Sequence, residues 1–205
     1  MYSLMVSLTN RKVTIIGGGQ VAYRKAKGLM EEKCEIVVIS PKWVKDFENV
    51  GCTKINRAYR EGDCKGSFLV FAATNDPIVN QKVFMECERN QILCNMVDDG
   101  SHSHFITPAQ MKRGDLTISV STGGKSPSLA VQIKKELEEI YGEAYQERIE
   151  LLGKIRDYWL IYEKDNQQKK ELLQKVAKMK VEEIHAYLLK EHTKLYEAIV
   201  QNRLE

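Results

Sequence analysis

The chain has 205 residues, 43% of them hydrophobic and 29% charged, enough for one full domain and a smaller companion. Its 31 basic and 28 acidic side chains nearly cancel to a formal net charge of +3, so there is no nucleic-acid signal, and no apolar run approaches the roughly 18 residues of a membrane span. The start, Met1 to Leu8, lacks the basic opening and cleavage site of a secretory signal, and five scattered cysteines without C-x-x-C read as reduced thiols; a cytoplasmic protein without structural zinc is expected.

Val13-Thr14-Ile15-Ile16 reads as a short buried strand, followed by Gly17-Gly18-Gly19 and a helix start. Gly17, Gly19 and Ala22 fit G-x-G-x-x-G/A, the phosphate-binding turn of a dinucleotide fold. Gly17 permits the tight turn, Gly19 lets backbone N–H groups approach a pyrophosphate, and Ala22 keeps helix and strand close. Helical spacing of Ala22, Ala26, Leu29 and Met30 predicts a helix from Val21 to Lys33. A strand is expected over Glu35 to Ile39, then a helical stretch from Trp43 to Phe47 and a weak strand from Thr53 to Arg57. The strongest strand signal is Ser67 to Ala73. Asp76 and Pro77 then cap and open a helix running to about Asn90, and Ile92 to Val97 makes a fifth strand. Strands alternating with helices argue for a parallel sheet covered by helices.

From about residue 101 the character changes. A polar loop with His102 and His104 leads through Phe105-Ile106-Thr107-Pro108, and Leu116 to Ser121 alternates as a half-exposed strand. Thr122-Gly123-Gly124-Lys125-Ser126-Pro127 is a second glycine turn, opening a helix from about Ser128 to Tyr141. Beyond Gly142 the pattern is helical to the end, with twelve basic and twelve acidic side chains over 143–205, a solvated module and not a basic arm.

Several residues carry potential chemistry. The corner after the second strand, Ser40-Pro41-Lys42, has no acid where a dinucleotide domain usually holds its ribose. Lys42 there could favour a 2′-phosphate, or Ser40 and backbone could hold the ribose, and the residues leave both open. Ala73 and Thr74 end the fourth strand, where ligands of open sheets bind, and Asp76 reads first as a helix cap. Asp98 follows the fifth strand and is placed to take a proton beside a cofactor, while Asp99-Gly100 forms a turn. His102 and His104 lack a third metal ligand of clear spacing, so no metal is expected. Gly124-Lys125-Ser126 imitates the end of a P-loop, but Ser119 stands where the upstream glycine is required; Lys125 could still meet an anionic group.

Taken together, Arg11-Lys12-Val13 through Gly17-Gly18-Gly19-Gln20-Val21-Ala22-x-Arg24-Lys25, then Ala72 to Asp76 with Asn80, Cys94-Asn95-x-Val97-Asp98, Phe105-Ile106-x-Pro108 and Val120 to Pro127, resemble the precorrin-2 dehydrogenases, the siroheme synthase N-terminal family. The resemblance covers residues 1 to about 140. It implies an α/β protein: an N-terminal Rossmann-type parallel sheet (1–112), a short central α/β dimerisation segment (113–142) and an all-helical C-terminal module (143–205). It further implies NAD-dependent oxidation of precorrin-2 to sirohydrochlorin on the route to siroheme, in a homodimer. Cofactor contacts are expected at Gly17, Gly19, Gln20, Val21, Ser40, Pro41, Lys42, Ala73 and Thr74, and the key carboxylate maps onto Asp98. The substrate is a polyanion, so Arg24, Lys112, Arg113 and Lys125, with His104 and Thr122, are expected around it. Some members carry serine where this chain has Thr122. Some also insert iron; others leave chelation to a separate enzyme. The alternatives are thus a bifunctional dehydrogenase and ferrochelatase, in which Asp98 or His104 takes the pyrrole protons, and a non-catalytic NAD-sensing module.

Overall fold

The computed structural model describes residues 2–97, 100–163 and 165–200. It divides into two units, 1–107 and 108–205.

In the first unit, strands β1 (Lys12–Ile16), β2 (Glu35–Ile39), β3 (Thr53–Ile55), β4 (Leu69–Ala72) and β5 (Leu93–Met96) form a five-stranded parallel sheet in the order β3-β2-β1-β4-β5. Crossover direction reverses between β1 and β4, which makes their carboxyl ends the switch point where such sheets bind ligands. Alternation along each strand supplies two apolar faces. Val13, Ile15, Val38 and Phe71 pack with Ala22, Ala26 and Leu29 of helix α1 (Gln20–Leu29), while Ile16, Val70, Ala72 and Cys94 pack with Val83 and Cys87 of α2 (Pro77–Arg89). Helix α1 stops four residues before the expected Lys33, in a turn that ends with Lys33 itself at φ 50°. The helical stretch after β2 is a 3-10 turn over Lys45–Asn49, and β3 ends at Ile55, two residues short of the expected Arg57.

On the α2 side, the buried Glu86 carboxylate accepts hydrogen bonds from the Tyr59 hydroxyl and from Cys64 N, tying the loop before β4 to the helix. Burial, then the hydrogen bond to Glu86, pushes the Tyr59 phenol up, and Cys64 is pushed up by its contact with Cys87 and by burial. All five cysteines are free, as their scattered spacing predicts.

β5 is an edge strand, and residues 103–105 seal its open side. Cys94 N donates to His104 Nδ1 (2.9 Å), His104 N donates to Cys94 O (2.9 Å), Met96 N donates to Ser103 Oγ (2.8 Å) and Asn95 Nδ2 donates to Phe105 O (2.9 Å). Residues 103–105 thus occupy part of the outer edge of β5.

The second unit opens with a hairpin of β6 (Ala109–Arg113) and β7 (Leu116–Val120), antiparallel, with Gly114 at φ 56° in the turn. β6 is absent from the sequence reading because Ala-Gln-Met-Lys-Arg holds one strongly apolar residue, Met111, which is buried. The expected boundary at 112/113 would cut through this strand. Helix α3 (Pro127–Ile140) packs on the hairpin. The tail forms four helices, α4 (Ala144–Tyr162), α5 (Asn166–Val176), α6 (Val181–Glu191) and α7 (Thr193–Val200), around Leu151, Ile155, Trp159, Ile184, Leu188 and Leu195. No helix among the described residues is long and apolar enough to cross a membrane.

Candidate cofactor site

Three turns converge at the carboxyl ends of β1, β2 and β4. Gly17 N donates to Ile39 O (2.9 Å) and Val44 N donates to Gly18 O (2.9 Å), which joins the glycine turn to the corner after β2. Gly17 sits at φ 125°, and a Cβ there would lie 2.2 Å from Ala73 O, which joins the turn to the end of β4. A Cβ on Gly18 would lie 2.2 Å from Lys42 O and 2.8 Å from Ser40 Oγ. Gly19 differs: nothing stands within 4 Å of where its Cβ would be. No contact inside the protein therefore demands glycine at position 19.

Gly19 also caps α1 without a side-chain hydrogen bond, and the first turn holds no acid. The N–H groups of that turn are left for another acceptor. Helix α2 is closed by Asp76, whose Oδ1 accepts from Ile78 N (2.9 Å) and Val79 N (3.3 Å), and α3 by Ser126. An open glycine, unclaimed N–H donors and a helix N-terminus together fit a pyrophosphate. Gly17, Gly19, Gln20 and Val21 are brought together here, with Ala73 and Thr74 beside them.

The corner departs from expectation in one respect. Ser40 is buried, and its hydroxyl donates to Lys42 O (2.6 Å), so its proton shapes the corner and is not free for a ribose. Pro41 and Lys42 are exposed on the rim. An acid does stand near the glycine turn: Asp46, on the 3-10 turn, accepts from Gln20 Nε2 (2.8 Å). Sequence spacing gives no hint of it, since Asp46 reaches the cradle only through the fold.

Asn80, fully buried on α2, locks the end of β4. Its Oδ1 accepts from Thr74 N (3.1 Å) and Thr74 Oγ1 (2.7 Å), and its Nδ2 donates to Thr74 O (3.1 Å). Asp76 is the helix cap it was read to be.

Asp98 and its neighbour Asp99 lie outside the described residues. The chain on either side is anchored, by β5 before and by residues 103–105 after. His104 is corrected: its Nδ1 accepts from Cys94 N, its Nε2 pairs with Glu88, and its ring stacks on Phe84 at 5.0 Å. With both nitrogens engaged it is a building block of the sheet edge, not an open base or substrate ligand. Arg24 is exposed on α1. Beside it, Lys25 donates to Thr107 Oγ1 and lies 5.4 Å from the centroid of the Phe71 ring. Burial, then the charge of Arg24, holds its ammonium below the usual lysine range.

The remaining expected substrate residues belong to the second unit. Thr122 Oγ1 donates to Ser126 O (2.9 Å) and accepts from Ser126 N (3.1 Å), so its hydroxyl closes the second glycine turn. Arg113 pairs with Glu143 (3.2 Å) and donates to Lys112 O (2.8 Å). Lys125 is exposed at the turn, and Lys112 is half-buried on β6. Among the described residues, no group of three or more His, Cys, Asp and Glu is placed to hold a metal ion.

Residues 4–109 match the family model described as "Putative NAD(P)-binding", and residues 113–140 match "Sirohaem biosynthesis protein central". A precorrin-2 dehydrogenase of Priestia megaterium is 34% identical over 160 residues, 76% of this chain and 79% of that one. One of Methanosarcina barkeri is 32% identical over 184 residues, covering 84% and 81%. Siroheme synthase 1 of Aeromonas hydrophila is 34% identical over 158 residues, 75% of this chain but 34% of the relative, so the chain spans about a third of that longer protein. The solved structure "SirC, precorrin-2 dehydrogenase" superposes with a TM-score of 0.76 at 29% identity, covering 98% of both chains. The chain belongs to the precorrin-2 dehydrogenase family and carries that family's NAD(P)-binding domain.

Proposed function

We propose that this chain oxidises precorrin-2 to sirohydrochlorin with NAD⁺. The observation that carries this reading is the uncapped N-terminus of α1 beneath an open Gly19, in a chain of this family. The oxidation removes a hydride and a proton from the substrate. NAD⁺, when bound, accepts the hydride at its nicotinamide ring. The protein's part is to hold and orient. N–H groups of the first turn of α1 take the pyrophosphate, Gly17 and Gly18 lock the turn against Ala73 and Lys42, and Asn80 fixes Thr74 at the edge of the cleft. Asp98 takes the proton.

The carboxylate of Asp46 beside the cradle supports NAD⁺ over NADP⁺, because it would repel a 2′-phosphate. We place the protein in the cytoplasm as a homodimer joined through residues 113–142, with the helical module over 143–205. Metal insertion falls to a separate chelatase; His104, occupied on both ring nitrogens, offers no base for it.

The test is anaerobic incubation of purified protein with precorrin-2 and either coenzyme, followed by absorbance of the reduced nicotinamide. NAD⁺ should be reduced faster than NADP⁺, by up to about fivefold, since an exposed charge contributes about 1 kcal/mol at most. Asp98→Asn should lower kcat by roughly 10²–10⁴, the usual worth of a positioned base. Turnover within a few-fold of wild type would remove Asp98 from the mechanism.

A further inference from the structure

The end of the sheet opposite the cradle holds a groove of about 500 Å³ at the amino ends of β1, β4 and β5. Arg11, Lys12 and Lys65 line it together with Ser67, Phe68 and Gln91, and no carboxylate does. Two of the three cations are held in place. The Arg11 guanidinium lies 4.1 Å from the centroid of the Phe68 ring, which holds the planar fork in one orientation. Lys12 Nζ donates one N–H to Lys65 O (3.2 Å), leaving two for a ligand.

The floor adds a second, independent feature. Ser67, which lines the groove, and Thr14, which stands behind it, are both buried, with Ser67 Oγ and Thr14 Oγ1 2.7 Å apart. Two hydroxyls carry two protons, and the bond between them uses one. Among the described residues the pair makes no other side-chain hydrogen bond, so one buried O–H is left wanting an acceptor. Like charges gathered over a spare donor, with no acid among the lining residues, favour an anion.

We propose that this groove is an anion site distinct from the cofactor cradle, for a small ligand bearing carboxylate or phosphate groups. Arg11 takes two ligand oxygens through its fork, Lys12 and Lys65 supply charge, and the Ser67–Thr14 pair donates the remaining hydrogen bond. The site does not depend on the dehydrogenase reading.

Calorimetric titration tests it, with citrate and pyrophosphate as separate probes at constant ionic strength and NAD⁺ kept saturating so that the cradle is filled. One saturable site is expected. Arg11→Gln and Lys65→Gln should each weaken it about tenfold or more, as loss of a charged hydrogen-bond donor does, while Lys190→Gln on α6 leaves it unchanged. Lys65 is exposed, so its variant keeps the fold even if Arg11→Gln does not. Tighter citrate binding assigns carboxylate, and tighter pyrophosphate binding assigns phosphate. No saturable binding of either probe, or affinities that both variants leave within about twofold, would overturn the proposal.

Discussion

Two glycine turns hand a strand to a helix in this chain, and they need glycine for different reasons. In the first, Gly17 and Gly18 are pressed against the carbonyls of Ala73 and Lys42, and only Gly19 faces open space. In the second, Gly123 and Gly124 stand at φ 62° and 81° with nothing near either, and Thr122 closes the loop on Ser126. The first turn is glycine by packing at two positions and by vacancy at the third. The second is glycine by backbone handedness. Two turns that both read as glycine-rich in sequence therefore leave different traces in the fold.

Substitution can break or sharpen this contrast. The largest effect is expected for Gly18→Ala, whose Cβ cannot avoid the Lys42 carbonyl; stability of the first unit should fall by about 3 kcal/mol, at the upper end for overpacking, in urea unfolding. Gly19→Ala should do the reverse. Its φ of −82° suits alanine, so unfolding should change by less than about 1 kcal/mol, while the added methyl enters the pyrophosphate space. NAD⁺ affinity by titration should drop about ten- to a hundredfold, the equivalent of 1–3 kcal/mol of overpacking. If Gly19→Ala instead binds NAD⁺ normally, the open space is not a ligand's. The smallest effect belongs to Gly124→Ala, where only the left-handed backbone resists: about 1–2 kcal/mol on unfolding of the second unit, with NAD⁺ affinity untouched.

Much of the first unit is legible in the chain because its signals are local. Four buried residues in a row, a glycine turn and a helix with alanines at its close face lead to β1, the cradle and α1 with no knowledge of neighbours. Asp76 and Pro77 announce α2 by the chemistry of its first turn. Polar β6 is illegible for the opposite reason, since a strand with one buried residue shows no periodicity until β7 pairs with it. His104 is illegible for a related cause: a polar ring in a polar loop looks free, and only the edge of β5 explains why it is not.

Composition and local pattern determined that the chain would build a parallel sheet with a phosphate-binding turn, because strand periodicity, helix capping and glycine sterics act over a few residues. Tertiary structure alone decided that Asp46 would stand beside Gln20, that Lys25 would reach Thr107, and that Lys65 would share one groove with Arg11 and Lys12. Each of those meetings joins segments from different turns of the fold. Their partners are chosen by how the strands order themselves in the sheet, which no stretch of neighbouring residues encodes.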